Sequence, residues 1–121
     1  MKLLTSLCLL AMIATTVLAE DSIRHVVSFK FKKDADPAKV QKVEQEFAAL
    51  KSKIPAIEAL EWGTNVSPEK HDKGFTHCWI VSFKSAADRD AYLVHPDHEA
   101  FAQGLGGLIE DVFVIDFTPR K

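Results

Sequence analysis

Apolar and polar residues alternate along two stretches of this chain with the two-residue period of a β-strand. From Arg24 to Lys32, His25, Val27, Phe29 and Phe31 fall on one side and Val26, Ser28 and Lys30 on the other. From Phe75 to Phe83, His77, Trp79, Val81 and Phe83 oppose Cys78, Ile80 and Ser82, and both sides are too apolar for open water. A weaker strand lies within Ile57 to Asn65, with Leu60 and Trp62 on one side. A last one runs from Asp111 to Phe117, setting Phe113, Ile115 and Phe117 against Val112, Val114 and Asp116. Between these runs the period lengthens. Val40, Val43, Phe47, Leu50 and Ile54 recur every three or four residues, which predicts an amphipathic helix of about five turns. Asp36-Pro37 opens it as cap and first position, and Pro55 closes it. A second helix opens at Ser85, whose hydroxyl stands three residues before Asp88. It ends or bends at His95, because Pro96 pushes the residue before it out of the helical region, and it restarts at Pro96.

The order β-α-β-β-α-β predicts an α+β, ferredoxin-like protomer, a four-stranded antiparallel sheet with its helices on one face. Two helices cover only that face. The other needs a second covering, and a twofold partner is the economical one, which predicts a homodimer whose sheets close into a dimeric α+β barrel.

The N-terminal stretch changes the picture of where this domain works. Lys2, the apolar run Leu3 to Leu18 and the small residues near Ala19 read as a signal peptide over residues 1–19. The expectation is an exported protein, periplasmic or secreted, with one domain over residues 20–121 and no stable membrane insertion after leader cleavage. Removing the leader removes Cys8 and leaves Cys78 alone, so no internal disulfide can form. A formal net charge of -2 has no basic excess, which argues against nucleic acid as partner.

The candidate chemistry concentrates in Tyr92 to Phe101, where Tyr92, His95, Asp97, His98 and Glu99 sit among Leu93, Val94 and Phe101. On one straight helix Tyr92 and His98 would be roughly 120° apart in azimuth and about 9 Å apart along the axis. Only a bend at Pro96 lets them converge. The spacing His95-x-x-His98 can seat two imidazoles on a metal, with Asp97, Glu99, His25 or His77 as further ligands, but Pro96 disrupts the helix that spacing needs. His95 reads as structural; His25 and His77 read equally as cross-sheet hydrogen-bonding groups or as pocket lining. His71, in a polar loop, reads as solvated, and Trp62, Phe75, Trp79 and Phe101 can line a cavity for a small apolar or aromatic ligand.

His25 to Lys32, Glu61-Trp62-Gly63-Thr64-Asn65, Gly74-Phe75-Thr76-His77, Tyr92 to His98 and Asp116-Phe117 together resemble the stress-responsive dimeric α/β-barrel (Dabb) family. The resemblance covers nearly all of residues 20–121, and Tyr-x-x-His-Pro-x-His is its most specific part. It implies a ferredoxin-like homodimer and no metal or cofactor. Through the family's plant polyketide cyclases it also implies His98 as catalytic base and Tyr92 as its partner, with His25, His77 and His95 in or near the pocket. A histidine in an apolar cavity can be neutral near pH 7 and take a proton from carbon beside a carbonyl, while a tyrosine steadies the enolate oxygen. The leading expectation is an exported domain that binds a small apolar or aromatic ligand in a barrel cavity, with Trp79 and Phe101 among its lining. The alternative is a cofactor-free polyketide-cyclase-like or lyase enzyme using the His98/Tyr92 pair.

Overall fold

The computed structural model describes residues 11–13 and 21–121. The leader expected over residues 1–19 therefore lies almost wholly outside the described residues. Among the described residues no helix is long and apolar enough to cross a membrane.

Seven elements follow in order: β1 Ile23–Phe31, α1 Pro37–Lys53, β2 Ala59–Thr64, β3 His77–Phe83, α2 Ala86–Leu93, α3 Pro96–Gln103 and β4 Ile109–Phe117. The strands form one sheet in the order β2-β3-β1-β4 with every neighbouring pair antiparallel. This is the ferredoxin-like arrangement expected from the element order. The predicted second helix is two short ones, as the proline at position 96 requires.

Each helix start has a local cause. The Asp36 carboxylate accepts the Ala38 N–H at 3.0 Å ahead of Pro37, and the Ser85 hydroxyl accepts the Asp88 N–H at 3.1 Å. Helix α1 stops at Lys53 because Ile54, which precedes Pro55, takes an extended conformation. Its buried stripe of Val43, Phe47 and Leu50 packs with Ile54 onto the sheet face that carries Val27, Phe29, Trp79, Val81 and Phe83. Strand parity thus resolves in favour of the His25 and His77 set, which faces the helices.

The opposite face is bare. Val26, Ile80 and Cys78 lie on it with Phe113, Ile115 and Phe117, and those last three are 53, 50 and 47% exposed. Strand β4 also begins two residues earlier than its alternation suggested. Lys30 pairs with Asp111 but Phe31 with Ile109, so Glu110 is an extra residue in the strand. Such a bulge resets the two-residue period, which is why the sequence pattern ends at Asp111.

Candidate functional site

The functional geometry begins with the helix break. In an uninterrupted helix the Leu93 carbonyl would accept the N–H of Asp97. Here the chain turns at His95, which is extended (φ -67°, ψ 136°), and the Asp97 N–H is taken instead by His95 Nδ1 at 3.1 Å. His95 is thus the cap of α3, in a position where serine, threonine or an Asx residue is usual. The Leu93 carbonyl is left free, and His98 Nδ1 lies 3.1 Å from it. A carbonyl only accepts, so Nδ1 holds the proton and Nε2 carries the lone pair of the neutral ring. One proline and one capping imidazole therefore fix the tautomer of a second imidazole.

His98 leans over Tyr92, with ring centroids 4.5 Å apart. Burial pushes His98 below its ordinary value of 6.5; the bond to the Leu93 carbonyl pulls the other way and His25 adds a smaller downward push. The ring is therefore neutral near pH 7. Tyr92 is 1% exposed, and burial raises its phenol well above its ordinary value of 10, so it stays protonated and able to donate.

On the other side of Tyr92 stands His25, its ring 5.8 Å away in an edge-on arrangement. His25 Nδ1 donates to Asp116 Oδ1 at 2.6 Å across the β1–β4 pair. Asp116 Oδ2 accepts from Arg89 Nη1 at 3.0 Å, and Arg89 Nε donates to Asp90 Oδ1 at 3.1 Å. These bonds, to Asp116 first and then Asp90, hold the Arg89 guanidinium more firmly in its charged form.

Tyr92, His98, His25, Asp116, Arg89 and Asp90 border one cavity of about 650 Å³ between the sheet and helices α2 and α3. Its remaining wall is apolar, with Phe29, Phe47, Phe101, Leu105, Val112 and Val114. The structure brings Tyr92, His98, His25 and Phe101 together here. His77, His95 and Trp79 do not line this cavity. Trp79 is a fully buried core residue behind it, stacked on Phe47 at 4.6 Å and 6°. His77 lies beyond that stack, bonded through Nδ1 to the Thr76 hydroxyl at 2.8 Å, with Glu44 Oε2 at 3.8 Å from Nε2. Burial lowers its pKa, with Glu44 opposing. His77 instead borders a second depression at the loop end of β2 and β3, together with His71, Trp62 and Phe75. Among the described residues no group of three or more metal-ligating side chains is clustered.

Three contributors escaped the sequence reading. Asp116 shows as a carboxylate in phase with Val112 and Val114 on an otherwise apolar strand face, a usable signal. Arg89 is one turn before Tyr92, on the same helix flank, which is also legible in retrospect. The Leu93 carbonyl carried no signal, because a backbone group is invisible to residue type.

Comparison with known proteins agrees with the fold. Residues 23–119 match the profile of the stress responsive A/B barrel domain. Over 100 residues the chain is 29% identical to olivetolic acid cyclase of Cannabis sativa, covering 83% of this chain and 99% of the cyclase. The fold superposes on hydroxynitrile lyase from Passiflora edulis with a TM-score of 0.78 at 23% identity, covering 84% of this chain and 95% of the lyase. It also superposes on a dimeric ferredoxin-like protein from Bacteroides fragilis with a TM-score of 0.66 at 25% identity, covering 81% and 96% of the two chains. The chain belongs to the stress-responsive A/B barrel domain family.

Proposed function

We propose that the cavity beside Tyr92 binds a small, mainly apolar carbonyl compound and that His98 and Tyr92 move a proton on it without a cofactor. The observation that carries this reading is the His98 ring, held with Nδ1 protonated against the Leu93 carbonyl and Nε2 open as an acceptor, next to a phenol that burial keeps protonated. Nε2 takes a proton from carbon beside the carbonyl. The bonding pair moves onto the oxygen, and Tyr92 donates a hydrogen bond to the enolate so formed. That carbanion equivalent then recaptures a proton or closes on a second carbonyl, forming a carbon–carbon bond while the imidazolium returns its proton to the new alkoxide. Similarity to a cyclase in sequence and to a lyase in fold supports chemistry of this class. The apolar walls also support binding without turnover, and deuterium exchange separates the two.

With 4-phenylbutan-2-one in heavy water, the native protein should accelerate exchange of the protons beside the carbonyl, read by proton NMR. Loss of His98 as alanine should cost about 10²–10⁴-fold, and Tyr92→Phe about 10²-fold. Exchange at the same rate with native protein, with both variants and with buffer alone would leave only a binding domain.

The same reading extends to assembly and location. The bare apolar sheet face and the dimeric state of a solved relative support a homodimer joined through that face. The apolar run in residues 1–19 supports export with leader cleavage, which intact-mass measurement of the secreted protein tests.

A further inference from the structure

The polar rim of the cavity makes a statement about charge. Arg89 is the one lysine or arginine among the described residues that line it, and Asp90 and Asp116 line it too. Apart from its histidines, the wall sets two carboxylates against one guanidinium. Arg89 is also occupied: its Nε serves Asp90 at 3.1 Å and its Nη1 serves Asp116 at 3.0 Å. A guanidinium recognises a substrate carboxylate by presenting a fork of paired N–H groups. Here resident carboxylates already hold both the Nε and the Nη1 sides of that fork. Asp116 is committed twice, since its other oxygen accepts the His25 Nδ1–H at 2.6 Å. An incoming carboxylate would have to displace one of these acids or lie beside them, like charge against like.

We infer that the rim of Arg89, Asp90 and Asp116 makes the cavity select uncharged ketone-class substrates and reject carboxylates, an inference that rests on the cavity being the ligand site proposed above. Specificity of this kind comes from a repulsive element as much as from a matching one. The apolar wall supplies the attraction for any phenyl or alkyl body, and the rim decides which polar end is accepted.

A matched pair of probes tests this. In 4-phenylbutan-2-one and 3-phenylpropanoate the apolar body is the same, and the methyl group of the ketone is replaced by the second oxygen of the carboxylate. Binding of each is measured by calorimetry at pH 7 and low salt to the native protein and to Asp90→Asn, Asp116→Asn and Arg89→Gln. The native protein should bind the ketone at least about tenfold more tightly. The ratio should narrow in Asp90→Asn and Asp116→Asn, which remove rim charge and release the guanidinium, and widen in Arg89→Gln. Should Asp116→Asn fail to fold, Asp90→Asn alone decides, since Asp90 is exposed and bonded only to Arg89.

A native protein that prefers the carboxylate, with Arg89→Gln abolishing that preference, would overturn the inference and make Arg89 an anion clamp. A ratio unchanged in Asp90→Asn would overturn it as well. If the carboxylate is preferred while deuterium exchange persists, only the charge selection fails. If the ketone is preferred and no exchange occurs, only the catalytic reading fails, and if neither probe binds both fall.

Discussion

Replacing His95 with alanine should disturb the site without touching the cavity wall. The substitution deletes the Nδ1 acceptor that holds the Asp97 N–H at 3.1 Å. The orphaned N–H then either stays unpaired at the start of α3 or turns back to the Leu93 carbonyl, its partner in a regular helix and the present partner of His98 Nδ1. Loss of a capping side chain costs about 1 kcal/mol, within a range of about 0.5–2. For a domain of roughly 100 residues that corresponds to a fall in Tm of about 4–8 °C. The second consequence concerns chemistry. When the Asp97 N–H competes for the carbonyl, the His98 proton is no longer confined to Nδ1, and the fraction of rings with a free Nε2 falls. Nitrogen-15 NMR of the imidazoles should show the Nδ1–H form of His98 in the native protein and a mixed population in His95→Ala, with ketone exchange about tenfold slower. Asparagine is a preferred cap and reaches the same N–H, so His95→Asn should restore Tm, tautomer and exchange together. An alanine variant with native Tm and an unmixed His98 tautomer would refute the reasoning, as would an asparagine variant no better than alanine.

Acid should weaken the fold through two histidines. Burial depresses both His77 and His98 below 6.5, so below that pH the unfolded chain binds more protons than the folded one and stability falls as pH drops. The slope is at most about 1.4 kcal/mol per pH unit for each group. Urea unfolding at pH 7.5 and 5.5 should show the loss, and a loss of the same size in a His77→Gln, His98→Gln double variant would assign it to other groups. Exchange activity should persist on acidification until pH passes below 6.5, because the base is protonated only beneath its ordinary range. On the bare sheet face, Phe113→Lys and Ile115→Asp should turn a dimer into monomers in light scattering while leaving the secondary-structure signal in place. A native protein that is monomeric at all concentrations would remove the dimer.

The fold was legible because the period of each element is set by one buried stripe, as with His25, Val27 and Phe29 on β1 or Val43, Phe47 and Leu50 on α1. The break at Pro96 was legible for a covalent reason, since proline has no N–H to offer. The start of β4 was not, because the extra residue Glu110 shifts the alternation. At the site, the convergence of Tyr92 and His98 followed from the same proline. The separation of His77 from them did not, since strand parity places His25 and His77 on one face but says nothing of the Phe47–Trp79 stack that stands between. Nor does residue type disclose that His95 acts on the backbone while His98 faces a phenol, for the two imidazoles differ only in which neighbour each bonds.

The stack behind the cavity has an optical consequence. The chain has two tryptophans, Trp62 and Trp79, and their rings lie 5.8 Å apart and only 17° from parallel. Indole transitions this close couple, so the pair does not absorb as two independent rings. Trp79 in turn rests flat on Phe47, which also borders the cavity. A guest that pushed on that phenyl ring would move one half of the coupled pair, so filling of the chamber should show as a change in the absorption of two side chains outside its wall.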